Sequence, residues 1–146
     1  MKKEFKRVGV AGLILSAALF TFSCGGGGGE SAAIDPMENK GIGPISSVDL
    51  EAEIDVELAA AGEKVYAGMC TACHKAEVDY IGPTPKGIMT RRSPEWIMNM
   101  ILNPEEMVAK DPIAKALLIE FYGAPMANQN LTEDEARAVL EYFRTL

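Results

Sequence analysis

A chain of 146 residues holds one small domain and some additional segment, and its net charge of −7 argues against a nucleic-acid partner, whose backbone demands the opposite sign. Three cysteines and a single histidine leave few ways to build a redox or metal centre. The first 23 residues carry four basic groups and one acid, so the remainder stands at −10.

The chain opens with MKKEFKR and a 16-residue apolar run, VGVAGLILSAALFTFS. A membrane-spanning helix needs roughly 20 apolar residues, so a basic start followed by this run reads as a secretory signal over residues 1–23. An uncleaved anchor is the alternative. The run ends Ser23-Cys24, which resembles a bacterial lipoprotein signal. That resemblance implies acylation of Cys24 and attachment to a membrane. A free exposed thiol would be unusual in an exported protein.

Next come GGGGGE and SAAIDPMENKGIGPISS. Five glycines resist any single conformation. Residues 24–55 are therefore read as an acidic tether, of r.m.s. reach about 30 Å if flexible. Within it GIGPISSVDL, residues 41–50, is apolar enough to pack on the domain as an arm.

The folded part is expected over 56–146. DVELAAAGEKVYAGMC places Leu58, Val65, Tyr66 and Met69 at helical spacing behind an Asp55 N-cap. KAEVDYIGPTPKGIMT is turn-rich, with Gly82-Pro83 and Pro85 breaking helices. SPEWIMNMILNP predicts a second helix capped by Ser93, with Pro94 at N1 and Pro104 closing it. DPIAKALLIEFYG repeats that grammar from Asp111 and Pro112 to Gly123. LTEDEARAVLEYFRTL begins with a Thr132/Glu135 capping box and carries an apolar face of Ala136, Val139, Leu140 and Phe143. No useful strand pattern occurs. The expected fold class is all-α, with about four helices. About 90 residues is small for a core made of side chains alone, so a large apolar cofactor would suit the domain.

Residues 68–75, GMCTACHK, hold two cysteines and the only histidine. C-x-x-C-H is the attachment signature of c-type haem. A redox dithiol would want a βαβ context, and structural zinc wants four N/S ligands where three are present. Cys70 and Cys73 are thus assigned to thioethers and His74 to the proximal iron position. The second axial position lacks a histidine, which leaves methionine, lysine or an open site. Met98 and Met100 sit in an apolar helix, Met69 lies on the attachment helix and Met37 lies in the tether. Met126 follows Pro125 in the extended loop YGAPMANQN, with Met107 and Met89 as runners-up.

The order of parts resembles the class I, mitochondrial-type monohaem cytochromes c. Those parts are Gly62-x3-Tyr66-x3-Cys70-x2-Cys73-His74, the Gly82-Pro83 turn, the Pro125-Met126 loop and a last helix bearing Tyr142 and Phe143. The resemblance implies one covalent haem c wrapped by the helices, with Met126 as distal ligand and the Pro83 carbonyl accepting the proximal imidazole N–H. It also implies a propionate donor in Trp96, and Gly62 and Tyr142 where the first and last helices cross. Arg91 and Arg92 can neutralise propionates. His/Met ligation fills both axial positions and suits an electron carrier rather than an enzyme.

The expected role is a monomeric, lipid-anchored shuttle. It would take electrons from a quinol-oxidising complex or another donor to a periplasmic reductase or a terminal oxidase. RRSPEWIMNMILNP and APMANQNLTEDEA are also similar to small cytochromes associated with bacterial respiratory reductases, nitrous oxide reductase included. Residues 62–92 are the least acidic stretch and form the expected docking face. A haem-based ligand sensor, a peroxidase and a fixed subunit of a larger oxidoreductase complex are the competing readings.

Overall fold

The computed structural model describes residues 34–146; the signal-like segment 1–23, Cys24 and the glycine run lie outside them. Five α-helices follow in order: α1 Val56–Met69, α2 Pro94–Leu102, α3 Pro104–Lys110, α4 Pro112–Glu120 and α5 Glu133–Phe143. A 3-10 turn, Ile88–Thr90, precedes α2, and no strand occurs among the described residues.

Each expected cap is made. The Asp55 carboxylate accepts from the backbone N–H of Glu57 and of Leu58, both at 3.0 Å. Ser93 caps α2 through Trp96 N, and Asp111 caps α4 through Ala114 N. Thr132 and Glu135 form the reciprocal capping box of α5, whose first turn carries three acids against the helix dipole.

The fifth helix is the departure from the sequence reading. Pro104 ends α2, as expected, but it also opens α3. Asn103 is the C-cap of one helix and the N-cap of the next. A proline breaks the helix before it because it lacks an N–H, yet its fixed φ suits the first position of a new one. The Glu106–Lys110 pair, at 2.9 Å one turn apart, supports the short α3.

Helices α1 and α5 cross in close contact. Gly62 makes the crossing possible: a Cβ there would collide with the Ala138 carbonyl. The close approach is therefore backbone to backbone. Tyr142 instead packs on the Tyr66 ring at 5.3 Å, and Phe143 meets the same ring edge-on at 5.8 Å. Glu141, fully buried, fastens the crossing at its open end. Its Oε1 accepts from Asp55 N at 2.9 Å and from Arg144 at 2.6 Å, and its Oε2 from Arg137 at 2.5 Å.

Residues 39–53 are fastened to the domain at several points. The buried Asn99 amide accepts from Ile45 N at 3.0 Å and donates to the carbonyls of Lys40 and Ile45, each at 2.9 Å. Ile42 N donates to Met107 Sδ at 2.9 Å. Gly41, at φ +73°, and Gly43 lie so close to Met107 and Asn99 that side chains there would clash. Arg144 holds the carbonyl of Glu51 at 2.7 Å.

Candidate haem site

An apolar cavity of about 230 Å³ opens between the end of α1 and helices α2 and α4, closed by the 124–131 loop and α5. Its walls include Cys70, Cys73, His74, Pro83 and Met126. The motif reaches it because α1 ends there. Cys70 is the C-cap of α1, and the N–H groups of Cys73 and His74 both bond back to its carbonyl, at 3.1 and 2.9 Å. One further turn thus presents both thiols and the imidazole to the same opening.

No disulfide joins Cys70 and Cys73. Burial, then the neighbouring Cys73, pushes the Cys70 thiol up to about 11. No cluster of three or more metal-ligating His, Cys, Asp or Glu side chains occurs among the described residues.

The imidazole orientation is set by its surroundings. His74 Nδ1 lies 2.8 Å from the Pro83 carbonyl, which only accepts, so Nδ1 carries the proton and Nε2 is left as a lone-pair donor. The turn closes on the ring because residue 82 is glycine. A Cβ there would stand 2.5 Å from His74 Cε1. Gly82 N also bonds to the Cys73 carbonyl at 3.0 Å, and the Tyr66 hydroxyl donates to the His74 carbonyl at 3.0 Å. The tyrosine's polar role was not read from the sequence, where its ring signalled packing alone.

Among the methionines weighed for the second ligand, Met126 lines the cavity, half-buried in its loop. Met69 and Met100 line it too, from α1 and α2. Met107 does not: it is fully buried, with its sulfur accepting from Ile42 N. Met89 is likewise absent from the walls.

Trp96 lines the cavity, but its indole N–H donates to Asp111 Oδ1 at 3.1 Å. The indole has one N–H, and the adjacent buried carboxylate accepts it. Arg91 straps the loop before α2, donating to the carbonyls of Lys86 at 2.8 Å and Thr84 at 3.0 Å. Arg92 lies over the Trp96 ring, 5.2 Å from its centroid, and donates to the Arg91 carbonyl at 2.6 Å. Burial first, and then Arg91, lowers the pKa of Arg92, while Asp111 and Glu120 oppose that shift. Its Nε is buried with no partner, the only such side-chain atom among the described residues.

These walls fit haem. Leu117, Leu118 and Phe121 are only half-buried because they face the cavity, so a flat apolar group would complete their packing. An anionic substituent at its rim would satisfy Arg92 Nε. Cys70 and Cys73 would hold the ring edge and His74 the iron.

A family model described as Cytochrome c matches residues 59–146. The chain belongs to the cytochrome c family. It is a class I c-type cytochrome, an electron carrier with covalently bound haem c. The solved structure of cytochrome c from Rhodothermus marinus is 43% identical, with a TM-score of 0.68 over 70% of this chain and 88% of that one. An engineered cytochrome c from the same organism, Rma TDE, is 42% identical, with a TM-score of 0.68 over 70% of this chain and 89% of that one. The same engineered protein bound to a carbene intermediate is 41% identical, with a TM-score of 0.65 over 70% and 88%. A search of curated proteins returned no match.

Proposed function

We propose that this cytochrome is a single-electron shuttle whose iron is held between His74 and Met126. The observation that carries the reading is the pairing of two features on one cavity. His74 is oriented by Pro83 with Nε2 as its free donor, and among the described residues Met126 is the one cavity-lining methionine outside a helix. Bound haem would supply a one-electron iron couple, and a methionine sulfur opposite histidine raises its potential. The chain's own part is to hold the imidazole tautomer, fill the second axial face and keep water from the apolar walls. With both axial faces filled, the reading is of a carrier rather than a ligand sensor.

The cellular setting of the proposal is an exported protein, acylated at Cys24 and anchored to a bacterial membrane. It would pass electrons from a quinol-oxidising complex or another donor to a periplasmic reductase, nitrous oxide reductase included, or to a terminal oxidase. The basis is the signal-like start, Ser23-Cys24 and the similarity of residues 91–104 and 124–136 to cytochromes of such chains.

Visible spectra of the holoprotein, oxidised and reduced, with and without carbon monoxide, test the ligand assignment beside Met126→Ala. The wild type should show a methionine-to-ferric band and ignore carbon monoxide, and the variant should lose both traits. Ready carbon monoxide binding by the wild type would move the protein to the sensor class. A variant indistinguishable from the wild type would turn attention to Met100, which also lines the cavity.

A further inference from the structure

Asp111 is almost fully buried, 3% exposed, behind the wall of the haem cavity. Its Oδ1 accepts from Trp96 Nε1 at 3.1 Å and from Ala114 N at 2.8 Å, and its Oδ2 accepts from Asn39 Nδ2 at 2.6 Å. Trp96 and Ala114 both line the cavity, so the carboxylate stands one residue behind its surface on two sides. All three donors are neutral. They satisfy the carboxylate's geometry without cancelling its charge, and no cation among the described residues lies within ion-pair distance of it. On the cavity side, the Arg92 guanidinium lies over the face of the same indole whose edge meets Asp111. Trp96 therefore separates a buried anion from a partly buried cation.

We propose that Asp111 is a potential-setting residue, whose buried charge holds the reduction potential of the bound haem below the value the same pocket would give without it. The inference rests on haem occupying the cavity. Ferric iron carries one more positive charge than ferrous iron, so a fixed anion behind the wall stabilises the oxidised form. Charges in such a setting are weakly screened, by protein and by salt alike. Asp111 also offsets part of the field of Arg92, as Glu120 does, and losing it would leave more of that positive field at the haem. Both effects act in the same direction. The position is fastened from outside the span that matches the family, since Asn39 lies in the N-terminal arm and the matched span begins at residue 59. The Trp96 hydrogen bond has a purpose on this account: it holds the anion against the cavity wall.

The test is the midpoint potential of purified holoprotein, by spectroscopic redox titration at low and high salt. Asp111→Asn removes the charge and keeps an oxygen for Trp96 and Ala114. Its potential should rise, with the haem spectrum unchanged and the shift retained at high salt. Asp111→Glu should stay close to wild type. Asn39→Ala removes the fastening but not the charge, so it should lose stability and leave the potential in place. If Asp111→Asn fails to fold, Asp111→Ser keeps a capping oxygen for α4 and should show the same rise. An unchanged or lowered potential in the neutral variants overturns the proposal. So does an equal shift in Asn39→Ala, which would assign the effect to packing. A wild-type pyridine haemochrome lacking the covalent haem signature would overturn the cavity reading itself, and this inference with it.

Discussion

The hydroxyl of Tyr66 donates to the backbone carbonyl of His74 at 3.0 Å, eight residues on in sequence. The bond ties the last turns of α1 to the residue that faces the iron position. It also explains why an aromatic with a polar tip stands there: the ring packs on Tyr142 and Phe143 while the hydroxyl reaches the motif. Tyr66→Phe keeps the ring and removes the bond. It should cost about 1 kcal/mol in chemical denaturation, because one part-buried carbonyl loses its partner. Burial above all, then Cys70 and Tyr142, raises the Tyr66 phenol from 10.0 to about 12. A raised pKa contributes stability that is present below pH 10 and lost as pH climbs towards 12. Wild type should therefore lose stability over that window by an increment that Tyr66→Phe lacks.

Gly82 sits against the imidazole, and a Cβ there would come within 3.1 Å of three atoms of the His74 ring. Gly82→Ala should tilt the ring or break its bond to the Pro83 carbonyl. The expected result is reduced covalent haem per protein, read by pyridine haemochrome, and a disturbed ferric spectrum. Normal loading with an unchanged spectrum would show that the turn yields instead of the ring.

Glu141 is a carboxylate buried between two arginines and a backbone N–H. Burial pushes its pKa up, but hydrogen bonds from Arg137 and Asp55 N, with the charges of Arg137 and Arg144, outweigh burial and hold it below the usual carboxylate range. A lowered pKa gives stability that is complete above the unfolded value of 4.5 and is lost as pH falls through the folded one. Glu141→Gln should lose about 3 kcal/mol at neutral pH, as expected for breaking a buried pair. Its stability should then fall less steeply than that of wild type below pH 4.5, in denaturant titrations at several pH values.

Asn99 holds the arm by three hydrogen bonds to the backbone of Lys40 and Ile45. Asn99→Ala leaves those groups without their partner and should cost about 2–3 kcal/mol. Limited proteolysis should then cut within residues 39–50 at a protease concentration that spares the wild type. Equal resistance in both proteins would mean that Met107 and Arg144 hold the segment without Asn99.

Much of this protein is set by local sequence alone. Caps and N1 prolines act within one turn of chain, so Asp55, Ser93, Asp111 and Thr132 announce their helices. C-x-x-C-H is a covalent pattern whose spacing is meaningful without any fold. Tertiary structure decided what depends on contacts between distant segments. Asn99 and Asp111 read as ordinary polar residues, one inside α2 and one capping α4, until the arm brings Ile45 and Asn39 to them across 54 and 72 residues. Trp96 carries one N–H that either a haem rim or a carboxylate could accept, and only the fold brings the N-cap of α4 to it. Periodicity reports which face of a helix is apolar, while the partner of a buried polar atom is chosen by the fold as a whole.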